Sequence, residues 1–128
     1  MNEPVEYLDV DDVLAIAADL LGDPPPVRDV GLLGSAVARP ATTVFGEDAY
    51  PTVWEKAAAL LDSLVNNHAL VDGNKRLGWL STYTFLEING VPIERATNDD
   101  VYDFVIRVAT HHLPIQELAR DLQGLIGR

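Results

Sequence analysis

The 128-residue chain contains no cysteine, which excludes disulfide staples, thiolate nucleophiles, iron–sulfur clusters and cysteine zinc sites. Histidine is nearly as scarce. His68, His111 and His112 are the whole set, and none lies four residues from another, as a helical zinc-protease pair requires. Basic residues are few: 9 lysines and arginines face 20 aspartates and glutamates, a formal charge of −11. A phosphate backbone would be repelled by most of this surface, so direct nucleic-acid binding is not expected. No apolar run approaches the roughly 18 residues that cross a bilayer, so no membrane association is expected. Met1–Glu6 lacks the basic start and apolar stretch of a secretion signal, which makes the cytoplasm the expected location. Repeats, low-complexity tracts and interdomain linkers are missing too. Apolar residues make up 48% of the chain, enough for a core and too many for disorder, and the length suits one domain over residues 1–128.

What is present reads as an all-α bundle of about six helices. Asp9 can cap a first helix over about Val10–Leu21, which Gly22-Asp23-Pro24-Pro25-Pro26 stops. Asp29 can cap a short second helix through Leu32, Leu33 and Ala36. Arg39 to Tyr50 has no helical period; Pro40, the β-prone run Thr42-Thr43-Val44-Phe45 and Gly46 read as a loop or small hairpin. The third helix opens at Tyr50-Pro51-Thr52 and runs to about Asn67. Its wide apolar stripe (Val53, Trp54, Ala57, Ala58, Leu60, Leu61, Leu64, Val65) predicts burial on more than one side. A fourth runs from about Asn74 to Ile88 and stops at Asn89-Gly90. Asn98 is expected to cap a fifth, and Pro114 to open a sixth. Trp54, Trp79, Tyr83 and Phe85 are expected in the core.

The chemistry concentrates between the two central helices, in His68-Ala69-Leu70-Val71-Asp72-Gly73-Asn74-Lys75-Arg76. A histidine able to act as a base near neutral pH is followed four residues later by a carboxylate able to hold a hard cation. Gly73 and Asn74 tolerate a tight turn that aims backbone N–H groups inward. Lys75 and Arg76, two of only nine cations, then sit in the first turn of a helix, where positive charge opposes the dipole. Such a placement points to a bound anion, because a glycine-led helix start is a natural phosphate seat. Each residue alone has a plainer reading: Asp72 as an N-cap, Asp72 and Arg76 as a surface ion pair, His68 as a core histidine. Their joint occurrence in nine residues favours function.

This segment resembles the signature of the Fic/Doc superfamily, H-x-F-x-[D/E]-[G/A]-N-[G/K]-R. It departs only at the third position, where Leu70 replaces the phenylalanine that anchors the loop in the core. Lys75 resembles the Doc branch, since Fic enzymes carry glycine there. The resemblance covers roughly residues 5–115 and implies the compact Fic helical fold, with a flap before the central helix. It implies that His68 is the general base for a target hydroxyl, that Asp72 holds Mg²⁺ on the phosphates of ATP, and that Gly73, Asn74, Lys75 and Arg76 bind phosphate. With glycine in place of Lys75 the α-phosphate would face the base and AMP would be transferred. With lysine, as in Doc, the γ-phosphate faces it and the product is a phosphorylated protein. Elongation factor Tu is the implied target, with arrest of translation and growth, and a Phd-like antitoxin with a groove-binding tail is the implied silencer.

Arg39, Thr42, Thr43, Val44 and Phe45 would form the flap that holds the target backbone by strand addition; an ordinary surface loop is the equal alternative. Thr43 to Glu47 partly matches the inhibitory [S/T]-x-x-x-E-[G/N] pattern of some Fic enzymes, but Asp48 breaks it and the match reads as accidental. Two other functions remain open at this point. One is Fic-type AMP or nucleotidyl transfer. The other is a catalytically degenerate fold that only binds.

Overall fold

The computed structural model describes residues 4–128, so the start of the acidic N-terminal segment, residues 1–3, lies outside it. Six α-helices follow one another: α1 (Val10–Leu21), α2 (Val30–Ala38), α3 (Val53–Asn66), α4 (Asn74–Ile88), α5 (Asn98–His111) and α6 (Ile115–Ile126). Between α2 and α3 lie a short 3₁₀ turn (Arg39–Ala41) and a hairpin of two-residue strands, β1 (Thr43–Val44) and β2 (Glu47–Asp48). The expected all-α bundle with a flap before the central helix is what forms.

Local chemistry accounts for the helix starts. Asp9 and Asp12 satisfy each other's backbone N–H groups in a reciprocal capping box ahead of α1. Asp29 accepts from Gly31 N at 2.9 Å, and Thr52 accepts from Glu55 N at 3.1 Å. At α5 the cap is Thr97 rather than Asn98: Thr97 is extended (φ −67°, ψ 154°) and its side chain accepts from Asp100 N, while Asn98 is already helical. The structure thus moves the start of α5 by one residue from the sequence expectation.

Helix α3 is the axis. It packs against α2, α4, α5, α6 and the 3₁₀ turn, and buried residues run around its circumference: Ala57, Ala58, Ala59, Leu60, Leu61, Leu64 and Val65. The alanines let neighbours approach from several sides. Helix α4 comes close at Gly78, where a Cβ would lie 2.8 Å from Val65 Cγ2. Phe85 is buried as expected, but Trp54, Trp79 and Tyr83 are only partly covered and lie at the margin of the core. Trp79 meets Phe104 edge-on with ring centroids 6.2 Å apart, tying α4 to α5. The packing of α3 on α4 sets the connection between them, residues 67–73, at one end of the two helices, with Ala69 and Leu70 buried beneath it.

Candidate functional site

The α3–α4 loop is shaped by backbone geometry that few residues accept. His68 has φ +56° and Gly73 has φ +89°, both left-handed. For glycine this costs little, whereas for a histidine it costs roughly 1–2 kcal/mol, so the surroundings must hold it. They do so from two directions. From within, Asn74 brackets Leu70: Leu70 N donates to Asn74 Oδ1 and Asn74 Nδ2 donates to Leu70 O, both at 3.0 Å. From outside, residues 26–29 lie alongside residues 68–71. Arg28 N and Asp29 N both donate to Ala69 O (2.8 and 3.0 Å), and Val71 N donates to Pro26 O at 2.8 Å. Asn67 Nδ2 adds a bond to Leu32 O of α2 at 2.8 Å. Beneath the loop, Leu70 is 1% exposed and belongs to the core cluster. Leucine therefore fills the anchor position.

Around this frame, His68, Asp72, Gly73, Asn74, Lys75 and Arg76 line one cavity of about 320 Å³, with Val65 and Val71. The histidine ring is exposed. Asp72 is not the α4 cap. Its Oδ1 accepts from Gly73 N at 2.9 Å, and the chain turns at Gly73, which occupies the cap position and offers no side chain. The first-turn N–H groups of α4 thus have no side-chain cap, unlike those of α1, α2, α3 and α5. Nor do Asp72 and Arg76 pair. Among the described residues neither Lys75 nor Arg76 has a salt-bridge partner, whereas Arg39, Lys56, Arg107 and Arg128 each have one. Uncapped donors and two unpaired cations around one cavity are an arrangement chemically suited to a polyanion. Asn74 has a different first task from the expected one, since its side-chain amide brackets Leu70, which leaves one amide N–H and the backbone N–H for an anion. A Cβ on Gly73 would meet Leu21 Cδ1 and Cδ2 at 2.7 Å, so the turn rests directly on the end of α1.

The flap residues do not line this cavity. Thr43 pairs with Asp48 and Val44 with Glu47, and Phe45-Gly46 makes a two-residue turn with φ +52° and +81°. Phe45 belongs to the turn and not to a strand, and it is wholly exposed. Glu47 is an exposed strand residue. Arg39 departs further from the expected flap surface. It lies before the hairpin, and its guanidinium turns inward, to Asp62 at 2.7 Å, Ser63 at 3.0 Å, Tyr50 Oη at 3.1 Å and Ala59 O at 3.4 Å. Burial works against its charge, but the bonds to Asp62 and Tyr50 outweigh that and raise its pKa above the ordinary arginine value. Arg39 braces the flap and is not placed to touch a target.

A single sequence family accounts for both the loop and the helices that carry it. The model of the Fic/DOC family matches residues 7–86. A curated protein from Mycolicibacterium smegmatis, Toxin Doc, is 51% identical over 120 residues, which span 93% of this chain and 92% of that protein. The chain belongs to the Fic/DOC family.

Two residues of this Fic/DOC chain escaped the sequence reading. Arg28 lies 40 positions before the histidine, and both its Nε, at 3.0 Å, and its Nη2 donate to the carbonyl of His68. Lys56 on α3 is 2% exposed, and its ammonium reaches Asp48 Oδ2 at 3.1 Å and the Tyr50 carbonyl, pinning the second hairpin strand to the bundle. A buried lysine in an alanine-rich stripe was a legible signal; an arginine at a helix start was not. Lys56→Met should keep the packing and release the hairpin. Amide exchange at Ala49, whose N–H bonds Thr42 O at 2.9 Å, should then quicken by roughly tenfold or more, the worth of one charge-assisted bond. Unchanged protection by hydrogen-exchange mass spectrometry would show that Lys56 does not tether the flap.

Several other polar side chains lie away from this cavity. Arg107 pairs with Asp121, and Tyr50 bonds Arg39. Tyr102 and Arg95 line parts of a second depression. Its main cavity, about 600 Å³, lies between α4 and α5 and is lined by Leu20, Trp79, Leu80, Val101, Tyr102 and Val105, with Lys75 and Arg76 at its edge. Among the described residues no helix is long and apolar enough to cross a membrane.

Proposed function

We propose that this chain is a Doc-like toxin that transfers the γ-phosphate of ATP to a hydroxyl of a target protein. The observation that carries the reading is the cavity in which an exposed histidine faces an uncapped helix start bearing two unpaired cations. The family and the name of its Mycolicibacterium relative support a toxin of a toxin–antitoxin pair. In the proposed step His68 accepts the proton of the target hydroxyl. The hydroxyl oxygen bonds the γ-phosphorus, the bond from that phosphorus to the bridging oxygen breaks, and ADP leaves with its electron pair. Phosphoryl transfer asks a protein mainly for positioning and charge neutralisation, which Gly73, Lys75, Arg76 and the α4 start offer.

Among the described residues no group of three or more acidic or histidine side chains converges as a self-sufficient metal site. Asp72, with Oδ2 outside its turn bond, suits a Mg²⁺ that takes its other ligands from phosphates and water. Such an ion would neutralise charge on the phosphates. Lys75 is the residue that favours γ- over α-phosphate transfer, since it adds bulk and charge where AMP-transferring relatives have glycine. By the same resemblance the target is elongation factor Tu and the silencing partner a Phd-like antitoxin. The apolar depression between α4 and α5, sharing Lys75 and Arg76 with the phosphate seat, is the groove that suits its tail.

The deciding experiment incubates the protein with elongation factor Tu and ATP labelled in either the γ or the α position. Label from γ alone is expected. Label from α would convert the assignment to AMP transfer, and no label from either, with binding retained, would leave a binding module.

A further inference from the structure

We propose that Arg28 is a positioning residue for His68: by gripping the His68 carbonyl, its guanidinium fixes the left-handed backbone that sets the direction of the imidazole. The proposal rests on the reading of His68 as the base. Arg28 Nε, at 3.0 Å, and Nη2 converge on that one carbonyl oxygen, while the next carbonyl, of Ala69, receives the backbone N–H groups of Arg28 and Asp29. Two consecutive carbonyls of the loop are thus held by four donors from two residues. The side-chain grip falls on His68: Asn74 holds Leu70, Pro26 holds Val71, and among the described residues Arg28 alone supplies side-chain donors to His68.

A plainer account, that Arg28 serves the start of α2, does not fit. The cap of α2 is Asp29, which accepts from Gly31 N, and Arg28 is exposed with no salt bridge among the described residues. A planar fork is suited to hold one carbonyl from two nitrogens, where an ammonium acts as a point. Because φ at residue 68 fixes where Cβ points, losing the grip lets the histidine relax toward ordinary backbone angles and swings the ring away from the cavity. The backbone bonds of Arg28 and Asp29 to Ala69 do not involve the Arg28 side chain, so the loop keeps its docking in the variants below.

Arg28→Met and Arg28→Lys separate these accounts. With Arg28→Met the turnover number for γ-phosphate transfer should fall roughly 10–100-fold, the usual consequence of misplacing a reacting group by about 1 Å. KM for ATP should stay within about twofold, because the phosphate seat is untouched. Arg28→Lys, with a single donor nitrogen, should recover part of the loss. In carbon–proton correlation spectra the His68 ring signals should shift or broaden in Arg28→Met, with His111 and His112 as internal references. A rise in KM with turnover preserved would overturn the proposal, as would a melting point lowered in proportion to the activity with no recovery in Arg28→Lys. If the wild-type chain transfers no phosphate, the functional reading fails on its own. The spectra then still decide the role of Arg28, and unmoved His68 signals sink it.

Discussion

Replacing His68 with alanine is expected to lower phosphate transfer by about 10²–10⁴-fold, the range that a positioned general base contributes, while the chain stays folded. The two parts of that expectation come from different features. The imidazole is exposed at the mouth of the cavity and supports no packing, so its loss leaves no hole. The backbone at this position is strained, with φ +56°, and alanine inherits the strain. Glycine does not. His68→Gly should therefore be more stable than the wild type by about 0.5–1 kcal/mol, the relief of left-handed strain less the entropy cost of glycine, and yet be as inactive as His68→Ala. Thermal unfolding and single-turnover transfer measured on the same preparations check both. A His68→Gly protein that is less stable would mean that the ring has a structural role; a His68→Ala protein that transfers phosphate at the wild-type rate would remove the histidine from the chemistry. Strain stored at a base and held by neighbours is an arrangement expected where geometry matters more than stability.

Most of the helical frame could be read from residues alone, because its determinants are local. Thr52 ahead of an apolar 3.6-residue period places α3, and Asn89-Gly90 ends α4. The hairpin was half legible: Gly46 signalled a turn, but Phe45, attractive as a strand residue, is forced into the turn by the pairing of Thr43 with Asp48. The start of α5 was misplaced because Thr97 and Asn98 are both good caps, and only the backbone shows which of them stays extended. At the site, the contiguous residues from His68 to Arg76 announced themselves by spacing. What holds them did not. Arg28 is 40 residues from His68, and Arg39 is 23 from Asp62. Neither pairing leaves a local trace, so the residues alone do not reveal Arg28 and place Arg39 on the flap surface instead of at its root. The nine-residue segment states the chemistry, while the geometry that aims it is tertiary.

Leu70→Ala tests how firmly that aim depends on the core. Leu70 is 1% exposed and sits in the middle of the loop, two residues after His68 and two before Asp72. Truncating a leucine buried this completely should cost about 2–5 kcal/mol, a drop in melting temperature on the order of 10 °C for a domain of this size. The bracket from Asn74 remains, because it holds only the Leu70 backbone, so the loop should keep its local shape while losing its root. Turnover should then fall further than the loss of folded protein explains, when both are measured at a temperature where the variant is still mostly native. Leu70→Phe, which installs the residue usual in the family, should not raise activity. With no exposed margin around Leu70, the larger ring must displace core neighbours at a cost of about 1–3 kcal/mol. If Leu70→Phe were instead both more stable and faster, the leucine would be a defect in this chain; a stability change in Leu70→Ala below about 1 kcal/mol would mean that the loop is held by its hydrogen bonds alone.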